Sequence, residues 1–94
     1  MAPVISALAP GDVESLRALA AEVWRAHYPA IIGATQTEYM LAQRYAPEVI
    51  RAQLARSDTW WDVLHEDGRM VAFACSYAAS SELKLDKLYV LPAQ

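Results

Sequence analysis

From Asp12 onward the hydrophobic period of this chain changes once, at residue 59, and that change decides what it can fold into. Before it, apolar residues recur at helical spacing. After it, they come in short aromatic and β-branched runs broken by turn signals. Upstream, Val13, Leu16, Ala20, Val23, Trp24 and His27 fall three or four apart. That spacing predicts an amphipathic helix from about residue 12 to 28, with Asp12 as N-cap, Glu14 in the first turn and Pro29 as its stop. Pro29 to Ala34 reads as a loop containing Gly33. Thr35-Gln36-Thr37-Glu38 matches the capping-box pattern and predicts a second helix over about 36–45. Pro47, tolerated at a first helical position, opens a third over about 47–56. Met40, Leu41, Ile50 and Leu54 are the expected buried contacts, and Arg44, Arg51 and Arg56 the solvated positions.

Four segments read as strands. Val4 to Leu8 is a short apolar run ended by Pro10-Gly11. Residues 59–64 and 70–77 flank His65-Glu66-Asp67-Gly68-Arg69, whose Asp-Gly pair is a strong hairpin signal. Trp60 and Trp61 point to opposite faces of their strand, so at least one enters the core. Ala78 to Ser81 is a small-residue turn. Leu83 to Leu91 is the last strand, in which Leu83, Leu85 and Lys87 alternate with Lys84, Asp86 and Leu88, and Pro92, with no N–H to donate, ends it. The order strand, helices, hairpin, strand predicts an α+β fold: a four-stranded, mostly antiparallel sheet with two to three helices packed on it.

Length and charge bound the rest. Ninety-four residues make a single domain, 1–94, able to bury roughly two-thirds of its unfolded surface. The net charge of −3 gives no attraction to nucleic acid or anionic lipid, and the arginines are interspersed with acids. No apolar run approaches the roughly 20 residues of a membrane span. The start of the chain, Met1 to Ser6, has no signal-peptide pattern, so a cytoplasmic setting is expected. The single cysteine, Cys75, excludes an internal disulfide and any multi-cysteine metal site. Neither His27, on the apolar helix face, nor His65, before the turn, has a metal-ligand pattern around it. Cys75 lies in a strand interior and reads as a small apolar residue.

The last strand is the anomaly. It could lie at the sheet edge, where natural proteins cover or charge the free N–H and C=O groups, yet Leu88 to Leu91 carries no such protection. Its sequence, Leu85-Asp86-Lys87-Leu88-Tyr89-Val90-Leu91-Pro92, resembles the fourth strand of the GNAT superfamily of N-acetyltransferases. The first strand, the helix ending in His27-Tyr28-Pro29, the Glu38-Tyr39-Met40-Leu41 and Tyr45 segment, and the Asp67-Gly68 hairpin followed by Val71-Ala72-Phe73 resemble the preceding family elements in the same order. The resemblance covers essentially the whole chain. In the family, a glycine-rich loop that holds the cofactor pyrophosphate at a helix N-terminus follows this strand at once, and here the sequence stops at Gln94. The expectation is therefore the N-terminal half of an acetyltransferase, inactive by itself.

The resemblance implies transfer of an acetyl group from acetyl-CoA to a small-molecule or peptide amine. It implies cofactor contacts from the main chain of Leu88, Tyr89 and Val90, with a bulge near these residues splaying the strand. It also places Tyr28, Ile31 and Ile32 in the loop that lines the acceptor pocket, with loop packing as the competing reading. Glu82 and Asp86 lie on the strand where carboxylates act as bases in some relatives. Read from the residues alone, they are a solvated charge and a surface partner of Lys87, so no catalytic residue is assigned. No metal is implied. An alternative is a non-catalytic module that pairs through its last strand, with a second copy of itself or with a complementary C-terminal half.

Overall fold

Asp67 and Gly68 both adopt positive φ, 55° and 78°, at the turn joining two long strands. Two successive left-handed residues give the turn whose twist matches its flanking strands, and glycine takes that conformation without steric cost. The turn links β2 (Thr59–Glu66) to β3 (Arg69–Ala79), paired antiparallel from Glu66 opposite Arg69 to Thr59 opposite Tyr77. β1 (Val4–Ala7) lies on the outer side of β2, and β4 (Glu82–Val90) on the outer side of β3. The order is β1-β2-β3-β4, with every pair antiparallel. This is a computed structural model and describes residues 3–91, so the expected stop at Pro92 lies outside the described residues.

The helical half differs from expectation at its joints. A 3-10 turn, Pro10–Asp12, leads into α1 (Val13–His27), and the Asp12 side chain makes no capping bond. The proline in that turn supplies the preset φ that starts the chain winding, so the entry does not need a carboxylate cap. Pro29–Ile32 is a single helical turn, α2, and not a loop. Gly33, at φ 88°, then reverses the chain into α3 (Ala34–Arg44). Because α3 starts before Thr35, the capping-box reading is corrected. The Thr37 hydroxyl instead donates to the Gly33 carbonyl at 2.7 Å, and the Glu38 carboxylate pairs with Arg25 on α1 at 2.7 and 2.8 Å. α4 (Pro47–Leu54) begins at its proline as expected. The last turn is also tighter than expected: Ala78 and Ala79 belong to β3, leaving Ser80, at φ 56°, and Ser81 to reverse the chain.

The helices pack on one sheet face. Leu16, Ile50, Trp61, Tyr45 and Phe73 are buried there, each such side chain contributing about 1.5–3 kcal/mol by leaving water. The two buried indoles have partners: Trp61 Nε1 donates to Gln53 Oε1 at 2.9 Å, and Trp24 Nε1 to the Tyr45 hydroxyl at 3.3 Å. Leu41 is buried and Met40 and Leu54 are half-buried. His27 corrects the helix-face reading. It is exposed, with its ring edge-on to Tyr28. The opposite face of the sheet carries no element among the described residues, and Ile5, Leu85 and Leu88 stand out from it at 61–75% exposure. No helix among the described residues is long and apolar enough to cross a membrane.

Candidate functional site

β4 departs from regular pairing at one place. Cys75 stands opposite Lys87, but Ser76 stands opposite Leu85, so Asp86 is an extra residue in β4. Such a bulge bends the strand and increases its twist. It also changes the alternation read from sequence. Lys87 no longer shares a face with Leu83 and Leu85; it turns under the helices and is buried, its side chain 3% exposed. The Lys87 ammonium bonds Asp86 Oδ2 at 2.7 Å and sits over the Trp61 and Tyr45 rings at 5.2 and 5.8 Å. Arg44 reaches Asp86 Oδ1 at 3.5 Å and lies over the Trp24 ring at 5.9 Å. The surface pair expected of Asp86 and Lys87, and the solvated Arg44, are thus corrected: together they clamp the bulge. The bulge lies at Asp86, ahead of the expected Leu88 to Val90, where pairing is regular.

That regular pairing fixes which main-chain groups face outward. The Leu91 amide donates to the Val71 carbonyl at 3.0 Å. In an antiparallel ladder, hydrogen-bonded and non-hydrogen-bonded pairs alternate. Tyr89 opposite Phe73 is therefore a bonded pair, while Leu88 opposite Ala74 and Val90 opposite Ala72 are not. The N–H and C=O groups of Leu88 and Val90 point away from β3, toward the outer edge, which no strand covers among the described residues. Of the three residues implicated by sequence, two offer main chain to that edge, and Tyr89 offers its side chain to the helical face.

The Tyr89 side chain meets the other expected site residue. Its hydroxyl lies 3.2 Å from that of Tyr28, and the two share a hydrogen bond across 61 positions of sequence. Tyr28 sits at the C-terminal end of α1, with its ring 4.4 Å from Trp24, centroid to centroid. Trp24 is also 5.9 Å from both Tyr45 and Tyr89. Arg17 on α1 donates to the Tyr45 carbonyl at 2.8 Å and holds the end of α3 against this cluster. Burial first, and then the bond with Tyr28, push the Tyr89 phenol up to about 12. Burial pushes Tyr45 up as well, and raises the Cys75 thiol. These groups hold their protons near neutrality, so the site presents hydroxyl donors and no phenolate or thiolate. Ile32, in α2, is 41% exposed beyond Tyr28, and its amide donates to the Tyr28 carbonyl at 2.9 Å. Glu82 is an exposed partner of Lys84 at 3.4 Å. Among the described residues, no three His, Cys, Asp or Glu side chains group to hold a metal ion.

An open strand edge whose outward amides and carbonyls recur every second residue fits a thin, amide-bearing chain that pairs as an added strand. Comparison with solved structures gives the fold a class: it is that of the GCN5-related (GNAT) N-acetyltransferases. The chain matches the PaiA N-acetyltransferase of Thermoplasma acidophilum, solved with coenzyme A, at a TM-score of 0.91 and 24% identity, over 99% of this chain and 61% of that one. It matches a GCN5-related N-acetyltransferase from Rhodopseudomonas palustris at 0.78 and 18% identity, over 100% and 56%. AAC(6')-Iy, solved with a CoA–acetylneamine bisubstrate analog, matches at 0.58 and 19% identity, over 99% and 60%. The chain thus spans about six-tenths of the length of these structures. No family model and no curated protein matches it.

Proposed function

We propose that this chain is part of a single N-acetyltransferase domain that moves an acetyl group from acetyl-CoA to a small-molecule or peptide amine in the cytoplasm. The observation that carries the reading is the free outer edge of β4, with the main chain of Leu88 and Val90 turned outward beside the Tyr28–Tyr89 pair. Acetyl-CoA supplies the acetyl group as an activated thioester. The outward amides of Leu88 and Val90 are donors for a carbonyl oxygen that gains negative charge, and they are held in place by the Tyr89–Phe73 pairing between them. The bulge at Asp86, clamped by Lys87 and Arg44, bends β4 so that this edge stays clear. The protonated Tyr89 hydroxyl serves as a hydrogen-bond donor or acceptor toward the acceptor side, with Tyr28 and Ile32 as that side's walls. Asp86 is engaged by two cations, which disfavours it as the base that frees the amine.

The test is a titration followed by backbone amide resonances. Acetyl-CoA is expected to shift Leu88 and Val90, and S-acetylpantetheine, which needs no pyrophosphate loop, to shift the same two signals, while Asp67 and Gly68 stay put. Unmoved Leu88 and Val90 resonances with both compounds at saturating concentration contradict the proposal. The same open edge also favours a second reading, a module that adds a strand from a complementary C-terminal half. It predicts that such a polypeptide, and not the thioester, protects these amides.

A further inference from the structure

The acceptor side holds a cation that the fold uses only in part. Arg44, the last residue of α3, has its guanidinium 5.9 Å from the centre of the Trp24 ring. The same ring packs on Tyr28 at 4.4 Å and on Tyr89 at 5.9 Å, so Arg44 stands one side chain away from the hydroxyl pair. Burial and Tyr28 dominate the Tyr89 phenol, and Arg44 and Asp86 are the two charges that also act on it. Among the described residues the ionic partner of Arg44 is Asp86. Their approach of 3.5 Å is longer than the roughly 2.7–2.9 Å of a charge-assisted hydrogen bond. Asp86 makes its short bond to Lys87 instead, at 2.7 Å through Oδ2. Two cations thus share one carboxylate, and the three groups carry one positive charge in excess. Lys87 is buried and cannot present that excess to a ligand. Arg44 can. Its side chain is 31% exposed, its contact with the Trp24 face leaves N–H donors unspent, and a guanidinium fork fits a carboxylate with two parallel bonds.

We propose that Arg44 receives a carboxylate of the acceptor, so that the acceptor class is a small molecule carrying an amine and a carboxylate together, as an amino acid does. The inference rests on the acetyltransferase reading, because it takes the Tyr28–Tyr89 side to be where the amine lies. Asp86 is the anion that competes for Arg44. Its bond to Lys87 is the shorter one, so a ligand carboxylate that meets the guanidinium at hydrogen-bond distance gains contacts that Asp86 does not make. The same arrangement disfavours a polycationic acceptor, since Asp86 is already neutralised by Lys87 and faced by Arg44. Arg44 is then a specificity-determining residue, and the Tyr28 ring and the exposed Ile32 offer apolar surface to the rest of the acceptor.

Three compounds that differ only in their charged groups test this on the 94-residue chain: L-phenylalanine, phenethylamine and 3-phenylpropionate. The reporter is the Arg44 side-chain Nε–H resonance. L-phenylalanine and 3-phenylpropionate are expected to shift it, and phenethylamine to leave it in place. L-phenylalanine is expected to bind at least about tenfold more tightly than phenethylamine, as a charge-assisted pair of bonds implies. Arg44→Gln is expected to bring that ratio down to about one, and Arg44→Lys, which keeps the charge without the fork, to an intermediate value. Lys87 keeps its bond to Asp86 in both variants, so the fold is expected to persist by circular dichroism, and Arg44→Lys decides alone if the glutamine variant unfolds. Phenethylamine binding as tightly as L-phenylalanine overturns the proposal. So does a ratio unchanged by the substitutions, or an Arg44 signal that none of the three compounds moves at millimolar concentration. Failure of the acetyltransferase reading is separate, because it is read at Leu88 and Val90 with a thioester and no amine present.

Discussion

Asp86→Ala removes the carboxylate that bonds the buried Lys87 ammonium at 2.7 Å. With its side chain 3% exposed, that ammonium has no bulk water to replace the partner. The Trp61 and Tyr45 faces, at 5.2 and 5.8 Å, hold it before and after the substitution and do not change the difference. Breaking one side of a buried ion pair costs about 3–5 kcal/mol. Asp86 is itself 37% exposed, so part of the attraction is already screened, and the expected loss is about 2–3 kcal/mol. Lys87→Met is different. It keeps the volume of the stem and removes the buried charge, while Asp86 retains Arg44 at 3.5 Å and solvent. Its cost is expected within about 1 kcal/mol, and the double variant near that of Lys87→Met, leaving a coupling of about 2 kcal/mol. Urea unfolding at fixed protein concentration reads this. With a slope of about 1–1.5 kcal/mol/M, Asp86→Ala lowers the midpoint by about 2 M and Lys87→Met by less than about 1 M. Equal losses from the two single variants would refute the reasoning, because the stabilisation would then belong to the intact pair and not to the cost of leaving a buried ammonium unpaired.

Two further outcomes follow from the geometry. Tyr89 is pushed up to about 12 in the folded chain, above the ordinary phenol near 10, so its contribution to stability is fully present below about pH 10 and is lost as pH rises through about 12. Alkaline unfolding monitored by tyrosinate absorbance should show Tyr89→Phe losing less stability across that window than the wild type; parallel curves would contradict the assignment. Gly68→Ala meets no neighbouring atom with its new Cβ, but must hold φ at 78°, so a loss of about 1 kcal/mol in thermal or urea unfolding is expected from backbone strain alone, and an unchanged midpoint would deny that strain.

The sheet was readable because its signals are local. Asp67-Gly68 can close only a narrow set of turns, and runs such as Met70 to Tyr77 carry strand propensity in every residue. The helix starts were less readable, because competing caps differ by about 1 kcal/mol, and Gly33 and Pro10 outweighed Thr35 and Asp12. The bulge left no mark in the alternation. Asp86-Lys87 reads as an ordinary exposed pair unless the aromatic pocket of Trp61 and Tyr45, built from distant segments, is known to accept the lysine stem. The same holds for Arg44, whose partners lie on α1 and β4. The sequence singled out Tyr28 and Tyr89 separately, through the resemblance. Their shared hydrogen bond depends on the angle at which α1 crosses the sheet, which no local signal encodes. Which two of Leu88, Tyr89 and Val90 face outward rests on one ladder bond, from Leu91 to Val71.

That last point is open to direct measurement by amide hydrogen exchange in the chain without added ligand. The account predicts slow exchange at Tyr89 and Leu91, whose amides are spent on β3, and fast exchange at Leu88 and Val90 between them. Protection at Leu88 and Val90 equal to that at Tyr89 would mean the outer side of β4 is already occupied, leaving no free main chain there to receive a thioester arm.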